Sequence, residues 1–145
     1  MVSSITSPPP GSGQSGLTTT VHYNTMMQPT NVVYPDGTSA SITYTLCGDV
    51  RQVSGSGVYP AAFMYDYNGR MTNMTAWPHF PATNGAEVTS WTYHPNSGWL
   101  VSKSDNSGNT TSYSNTPAGR LASRTWARGT NTSYSYNSVK CQAVP

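Results

Sequence analysis

The sequence predicts an all-β chain made of short antiparallel hairpins, and three observations carry that prediction. Charged residues are only 8% of the chain and hydrophobic residues 35%, so the Ala, Leu, Glu, Lys and Arg that build long helices are scarce. Thr and Tyr, which suit a pleated and half-buried surface, alternate with clusters of Gly, Asn, Asp and Pro, which suit turns. Glycines recur in phase: Gly48, Gly69, Gly98 and Gly119 lie 21, 29 and 21 residues apart. The expected architecture is a curved meander sheet of hairpin repeats with a period of about 21 residues.

The chain is 145 residues long, enough for one domain with a modest core. Residues 1–17 hold Pro8-Pro9-Pro10 and Gly11-Ser12-Gly13 and read as a flexible Pro/Gly/Ser-rich lead, because such a composition buries too little to offset its ordering entropy. Residues 18–140 read as the hairpin repeats and residues 141–145 as a tail. The unit is clearest at Phe63-Met64-Tyr65-Asp66-Tyr67-Asn68-Gly69-Arg70-Met71, a strand, a tight turn and a strand.

Several registers keep the same phase. The residue two after each glycine is apolar: Val50, Met71, Leu100 and Leu121. The residue six before the anchor is Val21, Ile42, Phe63, Tyr113 or Tyr134, and Gly37, Gly108 and Gly129 fall ten after an anchor position. Met27 and Lys140 occupy the anchor register without being glycine. Tyr34-Pro35-Asp36-Gly37 is a strong turn sequence between units. The longer 29-residue step places an extended loop near 77–86, which holds two prolines and Asn84-Gly85. His94-Pro95-Asn96-Ser97 puts the third unit one residue out of phase, as a bulge or a longer turn does.

Tyr65-Asp66-x-x-Gly69-Arg70-Met71 resembles the motif of RHS/YD-repeat proteins, and Tyr34-Pro35-Asp36-Gly37-Thr38 and Thr116-Pro117-Ala118-Gly119-Arg120-Leu121 resemble other pieces of that repeat. The resemblance runs from Val21 to Tyr136. It implies a β-shell of many hairpins, of the kind that encloses a toxin in bacterial RHS and insecticidal-toxin proteins or serves adhesion in teneurins. It also implies a secreted or cell-surface setting. Tyr44, Gly48, Tyr65, Asp66, Gly69, Arg70, Gly98, Gly119 and Arg120 then carry a structural repeat motif. The Tyr-Asp pair is complete only at Tyr65-Asp66; elsewhere it reads Tyr23-Asn24, Tyr44-Thr45, Asn115-Thr116 and Tyr136-Asn137. About six units are present where family shells use many more, so the chain reads as part of a repeat region, with marginal stability or self-association expected.

No reactive constellation stands out. Of the five acidic residues, Asp36, Asp49, Asp66 and Asp105 sit at predicted turns, where a carboxylate caps the local backbone, and only Glu87 does not. Asp66 is placed to pair with Arg70 across its turn. His22, His79 and His94 share no metal-ligand spacing, and no Gly-x-Ser-x-Gly elbow is present. The expectation is a non-enzymatic module without catalytic residues, metal or cofactor. Cys47 and Cys141 are far apart and read as unpaired more readily than as a disulfide.

The net charge of +2 is too small, and the basic residues too scattered, for a nucleic-acid footprint. No apolar run approaches a membrane span, and the N-terminus has no charged start followed by an apolar core. The partner that the resemblance implies is a polypeptide cargo or further repeats. The alternative is a carbohydrate- or cell-surface-binding module that uses exposed aromatics from the four tryptophans and ten tyrosines. Core and cross-strand packing accounts for most of these rings; Trp77 and Phe80, in the loop near 77–86, are the candidates for surface contact.

Overall fold

The computed structural model describes residues 1–79 and 84–137. Twelve strands and no helix are found among them: β1 (Val2–Thr6), β2 (Thr18–Tyr23), β3 (Pro29–Val33), β4 (Ser39–Tyr44), β5 (Val50–Ser54), β6 (Ala61–Tyr65), β7 (Met71–Ala76), β8 (Glu87–Tyr93), β9 (Leu100–Ser104), β10 (Thr110–Asn115), β11 (Leu121–Thr125) and β12 (Asn131–Ser133). The chain divides into two compact units, Met1–Thr89 and Ser90–Pro145, with the boundary inside β8. Within each unit, every strand pairs antiparallel with its sequence neighbour, so strand order is chain order.

The first unit has two chemically distinct faces, because strand side chains alternate and directly opposed residues share a face. Val21, Val32 and Ala40 stand side by side across β2, β3 and β4. Ile42, Val53, Ala61 and Ala76 form a second row across β4 to β7. The opposite face carries His22, Asn31, Ser41 and Ser54. Ala40 is the one buried hydrophobic residue among those described, at 4% exposure, and no large side chain is fully buried. The apolar rows lie within a single layer, and no second layer of described residues in the same unit covers them.

The second unit repeats the scheme with different chemistry. One face is almost entirely hydroxyl: Thr92, Ser102, Ser112 and Thr125 form a row, and Ser114, Ser123 and Ser133 another. These hydroxyls bond across strands, Thr92 to Ser102 at 2.6 Å, Ser104 to Thr110 at 2.7 Å and Ser114 to Ser123 at 2.7 Å. The other face carries Trp91 opposite Lys103, and Tyr113 opposite Arg124.

One expectation is corrected. The lead expected to be flexible over residues 1–17 begins with a strand: Val2–Thr6 pairs along the free edge of β2. Its side chains are all exposed, so burial does not hold it. Backbone bonds do, since the edge of β2 otherwise presents a row of open donors and acceptors. Tyr23 N donates to Met1 O at 2.8 Å and Ser7 N to Leu17 O at 2.9 Å, closing the ladder at both ends. Gly16 lets the backbone come back close: a Cβ there would run into the Ser7 carbonyl and the Thr6 methyl.

The loop near 77–86 joins β7 to β8; Phe80 falls outside the described residues, as does Cys141. No helix among the described residues is long and apolar enough to cross a membrane.

Candidate functional site

The hairpin turns share one internal construction. In each of β2–β3, β4–β5, β6–β7 and β10–β11 the register shifts by a bulge one residue before the turn, at His22/Tyr23, Thr43/Tyr44, Met64/Tyr65 and Ser114/Asn115. The first turn residue then offers a side-chain oxygen to the backbone N–H four residues on. Asn24 accepts from Gln28 at 2.9 Å, Thr45 from Asp49 at 3.2 Å, Asp66 from Arg70 at 3.0 Å and Thr116 from Arg120 at 3.2 Å. Asp105 does the same for Asn109 at 2.9 Å in the turn between β9 and β10. Asp, Asn and Thr are therefore interchangeable here, because what the turn requires is an acceptor. That is why the Tyr-Asp pair drifts to Tyr-Asn, Tyr-Thr and Asn-Thr along the chain.

Of the expected motif residues, Gly48, Asp66, Gly69, Arg70, Gly119 and Arg120 lie in these turns, Tyr44 and Tyr65 end β4 and β6, and Gly98 lies in the turn between β8 and β9. Gly48, Gly69 and Gly119 close them with N–H bonds to Thr45 O, Asp66 O and Thr116 O at 3.1, 3.0 and 2.9 Å. Gly69 has φ of 75°, a region that costs an L-residue with a Cβ on the order of 1–2 kcal/mol. Met27 holds the same register with φ of 61° and is the one non-glycine residue with positive φ among those described. Gly98 closes a turn one residue longer: its N–H bonds His94 O, at 2.9 Å, four residues back. The third unit is thus out of phase through a longer turn.

The motif tyrosines clamp neighbouring hairpins together. Tyr44 Oη donates to Pro29 O at 2.7 Å, Tyr65 Oη to Val50 O at 2.9 Å and Tyr136 Oη to Leu121 O at 2.9 Å, each reaching a residue 15 earlier. Arg70 and Asp66 pair across the turn, with Nη2 to Oδ2 at 2.7 Å and Nε to Oδ2 at 2.7 Å. Partial desolvation raises the Asp66 pKa, but the side-chain bond from Arg70 and the backbone N–H groups of Arg70 and Asn68 outweigh it and leave the carboxyl below its ordinary value. The side-chain bond from Asn109 likewise holds Asp105 down, and that from Thr38 holds Asp36 down. The Arg120 guanidinium lies over the Tyr136 ring, 5.3 Å from its centre.

Residues that a reaction would need are not gathered. No cluster of three His, Cys, Asp or Glu side chains that could hold a metal occurs among the described residues. Ser97 Oγ lies 3.0 Å from His94 Nδ1, but that nitrogen also accepts the Ser97 N–H at 3.2 Å, so the contact belongs to the turn. Cys47 is exposed at a turn. Trp77 is half-buried, and its backbone N–H donates to Pro60 O at 3.2 Å.

The concave feature of greatest interest lies in the second unit, and the sequence did not single it out. A groove of about 700 Å³ runs over the non-hydroxyl face, lined by Lys103, Tyr113, Arg124, Trp126 and Arg128. The cations are seated on rings. Lys103 Nζ is 5.7 Å from the centre of Trp91, and Arg124 Cζ is 5.7 Å from that of Tyr113 and 3.4 Å from that of Trp126. Arg128 Cζ is 5.8 Å from Trp126. Arg124 Nε is buried and has no hydrogen-bond partner. Asp105 is the carboxylate in the lining, but its oxygens are taken by Ser107 N, Asn109 N and Asn109 Nδ2. No family model matches this chain, and no curated protein matches it in sequence.

Proposed function

We propose that this chain is a run of RHS/YD-type hairpin repeats that acts without catalysis, as part of a β-wall that encloses or binds another polypeptide. The observation that carries the reading is the recurrence, in several hairpins, of the turn acceptor at a separation of four residues and of the tyrosine clamp at a separation of 15. Isolated hairpins need neither a shared turn chemistry nor a clamp to the previous unit. Stacked repeats need both, because each unit buries its surface only against its neighbours.

The apolar rows of the first unit, half-buried within one layer, are what a wall lined by a cargo or by further repeats presents. The reading frame beyond Pro145 tests this. Further units of the same spacing followed by a separate polypeptide domain are expected, and a run of unrelated sequence there counts against enclosure. A second reading, glycan binding through aromatic side chains, is favoured by one feature, the ring-lined groove of the second unit.

A further inference from the structure

We infer that the groove on the second unit binds an acidic saccharide, a chain of sugar rings bearing spaced carboxylates. The inference rests on the glycan-binding reading and specifies its ligand and its residues. Three cations, Lys103, Arg124 and Arg128, face one groove with one carboxylate, and that carboxylate is saturated by its own turn. None of the three is ion-paired among the described residues, where Arg70–Asp66 is the salt bridge present. The buried Arg124 Nε lacks an acceptor in a protein where such groups are normally satisfied. The rings of Tyr113 and Trp126 seat the guanidinium of Arg124, a group whose fork of N–H donors suits bidentate oxyanion contact.

The spacing of charge favours a uronate-type chain over a dense polyphosphate. Lys103 is on β9 and Arg124 on β11, two strands apart and so on the order of 10 Å, which is about the span of two linked sugar rings. The net charge of +2 is too small for the phosphate neutralisation that drives nucleic-acid binding. The side chains of Asn109 and Thr111 in the same lining offer the neutral hydrogen bonds that sugar hydroxyls take up.

The test is titration of the full chain with an oligogalacturonate and with a neutral oligosaccharide of equal length, followed by tryptophan fluorescence and calorimetry. Saturable binding of the uronate alone is expected. Arg124→Gln should weaken it by about tenfold or more, the loss expected from one charge-assisted contact. Arg128→Gln and Lys103→Gln, at exposed positions, should each weaken it too, and they carry the test if Arg124→Gln does not fold. Arg51→Gln, an exposed charge in the first unit, should leave it unchanged.

Equal binding of the neutral oligosaccharide overturns the acidic specificity and leaves the glycan reading standing. Binding of neither overturns both. Full displacement by inorganic sulfate at equal charge, tighter binding of a single-stranded oligonucleotide, or indifference to all three groove variants also overturns the inference.

Discussion

At the residue scale the turns are decided by single atoms. Met27 stands where the equivalent hairpins have glycine, yet keeps φ of 61°. The surrounding ladder therefore imposes a conformation that its own side chain disfavours. Met27→Gly should raise stability by about 1 kcal/mol in urea unfolding, the strain released less the added entropy of the unfolded chain. An unchanged or lower midpoint would argue against the strained turn.

The converse holds at Gly69, where Val should cost about 1–2 kcal/mol and leave strand content outside β6–β7 intact by circular dichroism. Tyr65→Phe removes the donor to Val50 O and should cost about 1 kcal/mol, read from the same unfolding curves. A neutral result there would mean that the ring, and not its hydroxyl, holds adjacent hairpins.

At the scale of the element, the hairpin turn is a carboxylate device in three places and a neutral one in the rest. Asp36, Asp66 and Asp105 are each held below the ordinary value of 3.8. A depressed folded pKa contributes stability above the unfolded value and loses it as the pH falls from 3.8 through the lower folded value. Melting temperature should therefore hold down to about that pH and then drop, and Asp66→Asn should flatten the drop. If the acid transition is unchanged in that variant, Asp66 does not couple to folding.

Much of this scale is legible in the sequence, because a turn announces itself in consecutive residues: Tyr34-Pro35-Asp36-Gly37 and Asp66 to Arg70 spell turns, and both close with a glycine at positive φ. The groove was not legible. Lys103, Arg124 and Arg128 look scattered along the chain, and only the pairing of β9, β10 and β11 brings them to one face. The one local signal is Trp126 between Arg124 and Arg128, a ring just past the end of β11 flanked by cations at two-residue spacing. β1 escaped for a different reason: its pairing depends on an open edge of β2, which nothing in Val2–Thr6 itself reveals.

At the scale of the whole molecule, the described residues of each unit form one layer of strands, and among them β1 and β12 each have a neighbour on one side only. An unpaired edge is a template for another chain. Light scattering should show association that grows with concentration; a monomer at high concentration with a sharp two-state melt would contradict that expectation. The absence of any fully buried large side chain among the described residues reaches further than association. The heat capacity released on unfolding measures apolar surface newly exposed to water, and this fold hides little of it. Its calorimetric increment should fall well below the ~12–15 cal/mol/K per residue of ordinary domains. Its stability should then vary with temperature along a shallow, nearly straight line, and chilling should weaken it far less than it weakens a protein built around an oily centre.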